Sequence, residues 1–213
     1  MSVTDAKISG MTQIALFHSA LGVRPGVLAA AEVFRSAGHQ VQVVDQYAGK
    51  VFDDYQEAGS YTSEIGFPAL MQLALDGVAD LAAPFVAAGF SNGGGMAEFV
   101  TASRGGSAGG VAGCLQFSGA MPVAMFGLSE WPTATPVQLH YSADDPYRNQ
   151  EWVAGYLDEV RASGSELETY LDYPIAGHLF TDASLPGEYD EASASLLFSR
   201  SLEFLQKVSS GLQ

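Results

Sequence analysis

Gly89-Phe90-Ser91-Asn92-Gly93 follows the apolar run Pro84-Phe85-Val86-Ala87-Ala88, and the fold is read outward from this junction. A lone serine between two glycines at the end of a buried strand is the pattern of a strand-to-helix nucleophile elbow. The turn forces the serine into a strained backbone, and side chains two residues before and after it would collide, so glycine is required there. Ser91 Oγ is then expected to stand free above the sheet edge. A five-residue pattern also arises by chance, as a glycine-rich turn with an incidental serine, so its context must carry the weight.

Two other segments supply that context. Asp144-Asp145-Pro146 follows Pro136-Val137-Gln138-Leu139-His140-Tyr141-Ser142, which reads as a buried strand ending in a turn. Gly177-His178 follows a further strand-like run, Leu167-Glu168-Thr169-Tyr170-Leu171-Asp172-Tyr173. Serine, aspartate and histidine thus occur in the chain order of α/β-hydrolases, each beyond the C-terminal end of a strand. Open α/β sheets gather their active sites at that edge.

Composition narrows the remaining choices. At 213 residues and 47% hydrophobic content the chain supports one sizeable core. We expect a single domain over residues 11–213 behind a polar tail, residues 1–10. Nine Lys+Arg against 24 Asp+Glu leave a formal charge of −15 with no basic cluster, so nucleic acid and anionic membrane surfaces are expected to be repelled. The lone Cys114 has no disulfide partner in the chain and reads as a small core residue. The start Met1-Ser2-Val3-Thr4-Asp5-Ala6-Lys7 has no apolar signal region, and no stretch approaches the ~20 apolar residues of a membrane helix. The expectation is a cytoplasmic protein, monomeric or a small homo-oligomer. The four histidines have no metal-ligand spacing, so neither metal nor cofactor is expected.

Strand patterns fall at residues 12–17, 40–45, 84–89, 111–117, 136–142 and 167–173. Helical patterns fall at 25–37, 64–78, 93–103, 150–163 and 190–207. Pro25 suits a first helical turn and Gly38 a C-terminal stop. The alternation predicts an α/β fold of the α/β-hydrolase kind, a mostly parallel sheet of about six or seven strands with helices on both faces. Residues 47–63 and 119–135 read as long connections, too short for a cap domain, and Ser103 to Gly110 as a flexible surface loop.

The chemistry follows from the residue types. A serine hydroxyl is a weak nucleophile, so a histidine must take its proton and later return one to the leaving group, while a carboxylate fixes the imidazole tautomer. His178 is the candidate base. Asp145 is preferred to Asp144 as its partner, because a residue before proline is held extended. His140 lies inside a strand and reads as packed, His18 borders the site and shapes the pocket, and His39 at a helix end is expected to be exposed. For the tetrahedral oxyanion, one donor is the Asn92 N–H after the nucleophile. The second is expected from the loop after the first strand, Ala20 N–H being the choice and Ser19 or Leu21 the alternatives. Phe126, Trp131, Tyr147 and Phe180 sit on loops at the same edge and are candidate pocket residues beside His18.

From about Ile14 to Leu205 the chain resembles the dienelactone hydrolase family. The resemblance rests on Phe17-His18-Ser19-Ala20-Leu21-Gly22-Val23, Gly89-Phe90-Ser91-Asn92-Gly93-Gly94, Asp144-Asp145-Pro146 and Tyr173-Pro174-Ile175-Ala176-Gly177-His178-Leu179-Phe180. It implies a compact capless domain with Ser91 as nucleophile, Asp145 as its acid and His178 as its base. Three departures stand out. Dienelactone hydrolases proper carry cysteine at the elbow, where this chain has Ser91. They carry a glutamate after the first strand, where this chain has Ser19. They clamp a substrate carboxylate with arginines, whereas here no Lys or Arg lies between Val51 and Ser103, and Asp182 follows His178.

The expected function is therefore a serine hydrolase acting on a small, uncharged ester, lactone or thioester. Two alternatives use the same fold: a binding or regulatory protein that has lost chemistry, and an acyltransferase with an acceptor other than water.

Overall fold

The computed structural model describes residues 11–105 and 110–211. The expected tail and the centre of the Ser103 to Gly110 loop lie outside the described residues; Ser103 and Arg104 continue a helix. Six strands form one sheet in the order β2-β1-β3-β4-β5-β6. They are β1 (Gln13–Phe17), β2 (Gln40–Val44), β3 (Phe85–Phe90), β4 (Val111–Phe117), β5 (Val137–Ser142) and β6 (Leu167–Tyr173). Every pairing is parallel, and Phe17 pairs with Gly89 and Phe90 with Phe117. The centre and the rims of the sheet differ as their sequences do. The β3 run Phe-Val-Ala-Ala-Gly-Phe is buried throughout, whereas β2 and β6 leave residues exposed at the edges.

Helices α1 (Pro25–Ser36) and α6 (Glu191–Gly211) cover one face. Their Val27, Phe34, Leu197 and Phe204 close a core over Ile14, Leu16, Val86 and Leu115. On the other face α3 (Phe67–Gly77), α4 (Asn92–Arg104) and α5 (Gln150–Ala162) pack Leu70, Met96, Val100, Val153 and Tyr156 over Phe17, Ala87, Cys114 and Leu139. A core on each face is what a parallel sheet with crossover helices demands. Pro25 opens α1, and Gly38 follows its end at φ +94°, the left-handed region that favours glycine.

The stretch read as the connection 47–63 contains an unexpected helix, α2 (Tyr55–Ile65). Its apolar stripe is thin, with only Ala58 fully buried, and Ser60, Thr62 and Ser63 turn their hydroxyls back onto carbonyls four residues earlier. The missed signal is its start: Asp54 Oδ1 accepts from the N–H groups of Gln56 and Glu57, with an acid three residues after the cap. Gly66, at φ +83°, ends α2 and opens α3, which splits the expected helix 64–78. His39 is buried rather than exposed. Its Nδ1 accepts from Thr12 N–H at 3.3 Å, because the turn before β2 folds against the entry to β1.

Candidate active site

At the C-terminal edge of β3 the chain turns through Ser91 at φ 52° and ψ −118°, a conformation a non-glycine residue holds only when its surroundings impose it. Ser91 N–H donates to Phe117 O at 2.7 Å, and Ser91 O accepts from Gly94 N–H at 2.8 Å, which pins the turn between β4 and α4. A Cβ at Gly89 would run into the Gly93 backbone, and one at Gly93 into the carbonyls of Phe17 and His18. The glycines are thus required by each other and by β1, rather than by collision with the serine side chain.

The structure brings Ser91, His178 and Asp145 together. Ser91 Oγ donates to His178 Nε2 at 2.7 Å. His178 Nδ1–H donates to the Asp145 carboxylate at 2.8 and 2.9 Å, so Nε2 is the ring nitrogen left to accept. Asp145 is buried and its Oδ1 also accepts from Tyr147 N–H at 2.8 Å, while Asp144 is exposed. The three side chains come from the ends of β3, β5 and β6, the two outer ones crossing the sheet edge to the central elbow.

Beside the elbow, the loop after β1 is tightly built. Leu21 N–H donates to Ser19 Oγ at 3.1 Å and Gly22 N–H to Ser19 O at 3.1 Å. That engages Leu21, whereas the N–H groups of Ala20 and Asn92 have no acceptor among the described residues. Ser19, at the place of the family's glutamate, therefore spends its hydroxyl on its own loop.

The other histidines are held neutral. His140 donates and accepts between Tyr173 OH and Gln138 Oε1, each at 2.8 Å, and burial, reinforced by Arg200, lowers its pKa to about 3. His18 Nδ1–H donates to Ser19 O at 2.7 Å and its Nε2 accepts from Gln46 N–H at 3.0 Å; burial lowers its pKa as well.

The candidate pocket residues need correction. His18 is wholly buried and braces the loop after β1 from behind, so it lines no open surface. Phe126 stacks on Phe67, Trp131 packs on Tyr156 and donates to Thr135 O at 3.0 Å, and Phe180 lies against Tyr173. All three are buried, because a capless fold uses loop aromatics to close the ends of its cores. Tyr147 alone of the five is exposed, its ring 4.8 Å from the His178 ring.

Two residues near the site escaped the sequence reading. Arg24 is buried at the start of α1, where its Nη1 donates to Phe52 O at 2.6 Å and Asp53 Oδ1 at 2.7 Å, and its Nε to Asp182 Oδ2 at 3.3 Å. Facing two carboxylates, it is a neutralised brace for the loop after His178. Glu98 lies fully buried in α4, where burial holds its carboxyl well above the usual carboxylate range despite hydrogen bonds from Met121 and Gln116. Gln116 Nε2 donates to Glu98 Oε2 and to Gly119 O, each at 3.0 Å, and a Cβ at Gly119 would strike the Ser91 carbonyl. The signal for Glu98 was an acid amid residues buried on every side of its helix, Met96, Ala97, Phe99 and Val100.

A groove of about 430 Å³ opens beside His178, lined by Tyr55, Tyr147, Glu188, Tyr189 and Asp190 among others. A larger concavity of about 500 Å³ lies at the opposite end of the strands, around Val111, Pro136 and Phe204, away from any of these groups. Among the described residues no cluster of His, Cys, Asp and Glu could hold a metal ion, and no helix is long and apolar enough to cross a membrane.

A parallel sheet with a serine elbow after its third strand defines an α/β-hydrolase. Within that class the chain belongs to the dienelactone hydrolase family, whose model matches residues 4–209. Solved structures agree on the fold. A dienelactone hydrolase-like promiscuous phosphotriesterase from metagenomic libraries superposes with a TM-score of 0.78 at 17% identity, covering 96% of this chain and 89% of its own. The dienelactone hydrolase of Anabaena variabilis gives 0.63 at 18% identity, with 91% and 85% covered. The Bacillus cereus carboxylesterase gives 0.57 at 14% identity, with 94% and 90% covered. Among curated proteins no sequence match was found.

Proposed function

We propose that this member of a hydrolase family is a serine hydrolase that cleaves a small carboxylic ester, lactone or thioester through an acyl-enzyme on Ser91. The observation that carries this reading is the unbroken hydrogen-bond relay Ser91 Oγ–His178 Nε2 and His178 Nδ1–Asp145. In the reading, Ser91 Oγ attacks the carbonyl carbon as His178 Nε2 takes its proton, and Asp145 stabilises the imidazolium that forms. The N–H groups of Ala20 and Asn92 receive the oxyanion, at the N-terminus of α4, where the helix dipole favours negative charge. His178 then returns the proton to the leaving oxygen of an ester or lactone, or to the leaving sulfur of a thioester. Water repeats the sequence in reverse order to release the acid.

Charge supports an uncharged acyl group over an anionic one. Arg24, beside the loop after β1, is already bonded to Asp53 and Asp182. A free carboxylate on the substrate would meet a chain of formal charge −15 without a cation to receive it. The test is turnover of short p-nitrophenyl esters by wild type and Ser91→Ala. A loss of about 10⁴ to 10⁶ in kcat is expected. Wild-type rates in the variant would overturn the reading.

A further inference from the structure

The groove beside His178 has a composition that neither the proposed chemistry nor the fold requires. Its aromatic surface is tyrosine. Tyr55 and Tyr147 pack with ring centroids 5.0 Å apart, and both approach the His178 ring, at 6.1 and 4.8 Å. Tyr189 adds a third, exposed tyrosine to the lining. The same walls carry two carboxyl groups. Glu188 Oε1 accepts from Tyr55 OH at 2.8 Å and its Oε2 from Leu179 N–H at 2.7 Å, while Asp190 Oδ1 caps α6 through Ser193 N–H at 2.7 Å. Among the described residues no cation at the groove offsets either of them: Arg148 turns away to Leu171 O, beside the Tyr141 ring, and Arg24 is bonded to Asp53 and Asp182.

Position assigns a role to this surface. The imidazole nitrogen that takes the Ser91 proton must deliver it to the departing oxygen, so the leaving alcohol departs past the histidine. His178 forms part of the groove wall, so the groove adjoins the residue that hands the proton to the leaving oxygen.

The geometry points to an alcohol-binding subsite for a cation: esters whose alcohol carries a quaternary or protonated amine, held over the faces of Tyr55, Tyr147 and Tyr189 with Glu188 and Asp190 behind. The inference rests on the serine hydrolase reading above. Aromatic faces attract ammonium groups through the ring quadrupole, and substituted ammonium is held best because it is weakly hydrated. In the reaction the carbonyl carbon gains its bond to Ser91 Oγ and loses its bond to the alcohol oxygen. That oxygen takes the proton from His178 Nε2, and the amino alcohol leaves with its positive charge intact. An acidic surface that repels anionic products fits this division, with charge on the alcohol and none on the acyl group.

The test compares acetylcholine with 3,3-dimethylbutyl acetate, the same shape without the charge, and choline with 3,3-dimethylbutan-1-ol as protectants against fluorophosphonate labelling of Ser91. In wild type the charged member of each pair is expected to be preferred by about tenfold, the scale of a partly desolvated cation–π contact. Tyr147→Leu and Asp190→Asn should each bring the preference down several-fold, and asparagine at 190 still caps α6. Equal or inverted preference in an enzyme that labels at Ser91, or preference unchanged in both variants, overturns the cation subsite and leaves the hydrolase reading standing. Failure to label at all removes both.

Discussion

Replacing Asp145 by asparagine isolates what the carboxylate does, because the structure dictates how the amide must sit. Asp145 Oδ1 accepts from Tyr147 N–H at 2.8 Å, a backbone donor that cannot be reversed. The asparagine oxygen is therefore held at that position, and its NH₂ takes the place of Oδ2, 2.8 Å from His178 Nδ1. The amide oxygen at the Oδ1 position still lies 2.9 Å from Nδ1, but the amide now also presents a donor to the ring, and the tautomer that pairs with that donor has Nδ1 accepting and its proton on Nε2, facing Ser91 Oγ. In that tautomer the base has no lone pair for the serine proton. The analogous change in serine proteases costs about 10⁴ in kcat with geometry intact. That is about 5.5 kcal/mol of transition-state stabilisation. The assay is kcat/KM for p-nitrophenyl acetate, with thermal denaturation to show that the variant is folded. Asp144→Asn serves as the control, because the exposed Asp144 touches neither partner, and it should stay within about twofold of wild type, as for an ordinary surface change. A folded Asp145→Asn protein that loses less than about tenfold, or an Asp144→Asn protein that loses as much, would refute the tautomer argument.

Three further outcomes follow from buried groups. His140 is neutral in the fold, with a pKa of about 3, and takes a proton near 6.5 once unfolded. Between those values the unfolded state binds more protons, so stability is full above pH 6.5 and falls as pH drops, by about 1.4 kcal/mol per unit. Urea denaturation at pH 7 and 5 should show a smaller loss in His140→Gln than in wild type, and an equal loss would contradict it. Glu98→Gln should keep near wild-type stability, since an amide oxygen still accepts from Gln116 and Met121, whereas Glu98→Ala should lose about 2–4 kcal/mol through a cavity and unpaired donors. Equal melting temperatures for the two would argue against a protonated carboxyl. Gly93→Ala drives a methyl into the Phe17 and His18 carbonyls and should cost about 3 kcal/mol, seen as a melting temperature lowered by about 6–12 °C.

What could be read in advance was whatever local geometry determines. The β3 run and its two glycines specify the elbow because strand, turn and helix are contiguous, and Asp145 and His178 are found because each follows a strand in a known chain order. The six strands come through for the same reason: buried parallel strands are short apolar runs bounded by turns. Side-chain fate at the loops is not local. Trp131, Phe126 and Phe180 lie in segments that read as rim, yet each is drawn into a core, Trp131 and Phe126 by partners far along the chain, Tyr156 and Phe67, and Phe180 by Tyr173 at the end of β6. Arg24 was invisible for the same reason, since Asp53 and Asp182 reach it only when three loops converge. Helix α2 was lost because its buried stripe is almost absent, and it is held by its Asp54 cap and by Tyr61 and Ile65 packing against the core.

The most direct measurement is the site of covalent modification when the protein meets a fluorophosphonate, read by mass spectrometry of its peptides. One adduct per chain on the peptide carrying Ser91, abolished in Ser91→Ala and slowed in His178→Ala, is the predicted result. An unmodified protein, or an adduct elsewhere that survives Ser91→Ala, would contradict a nucleophilic serine at this elbow.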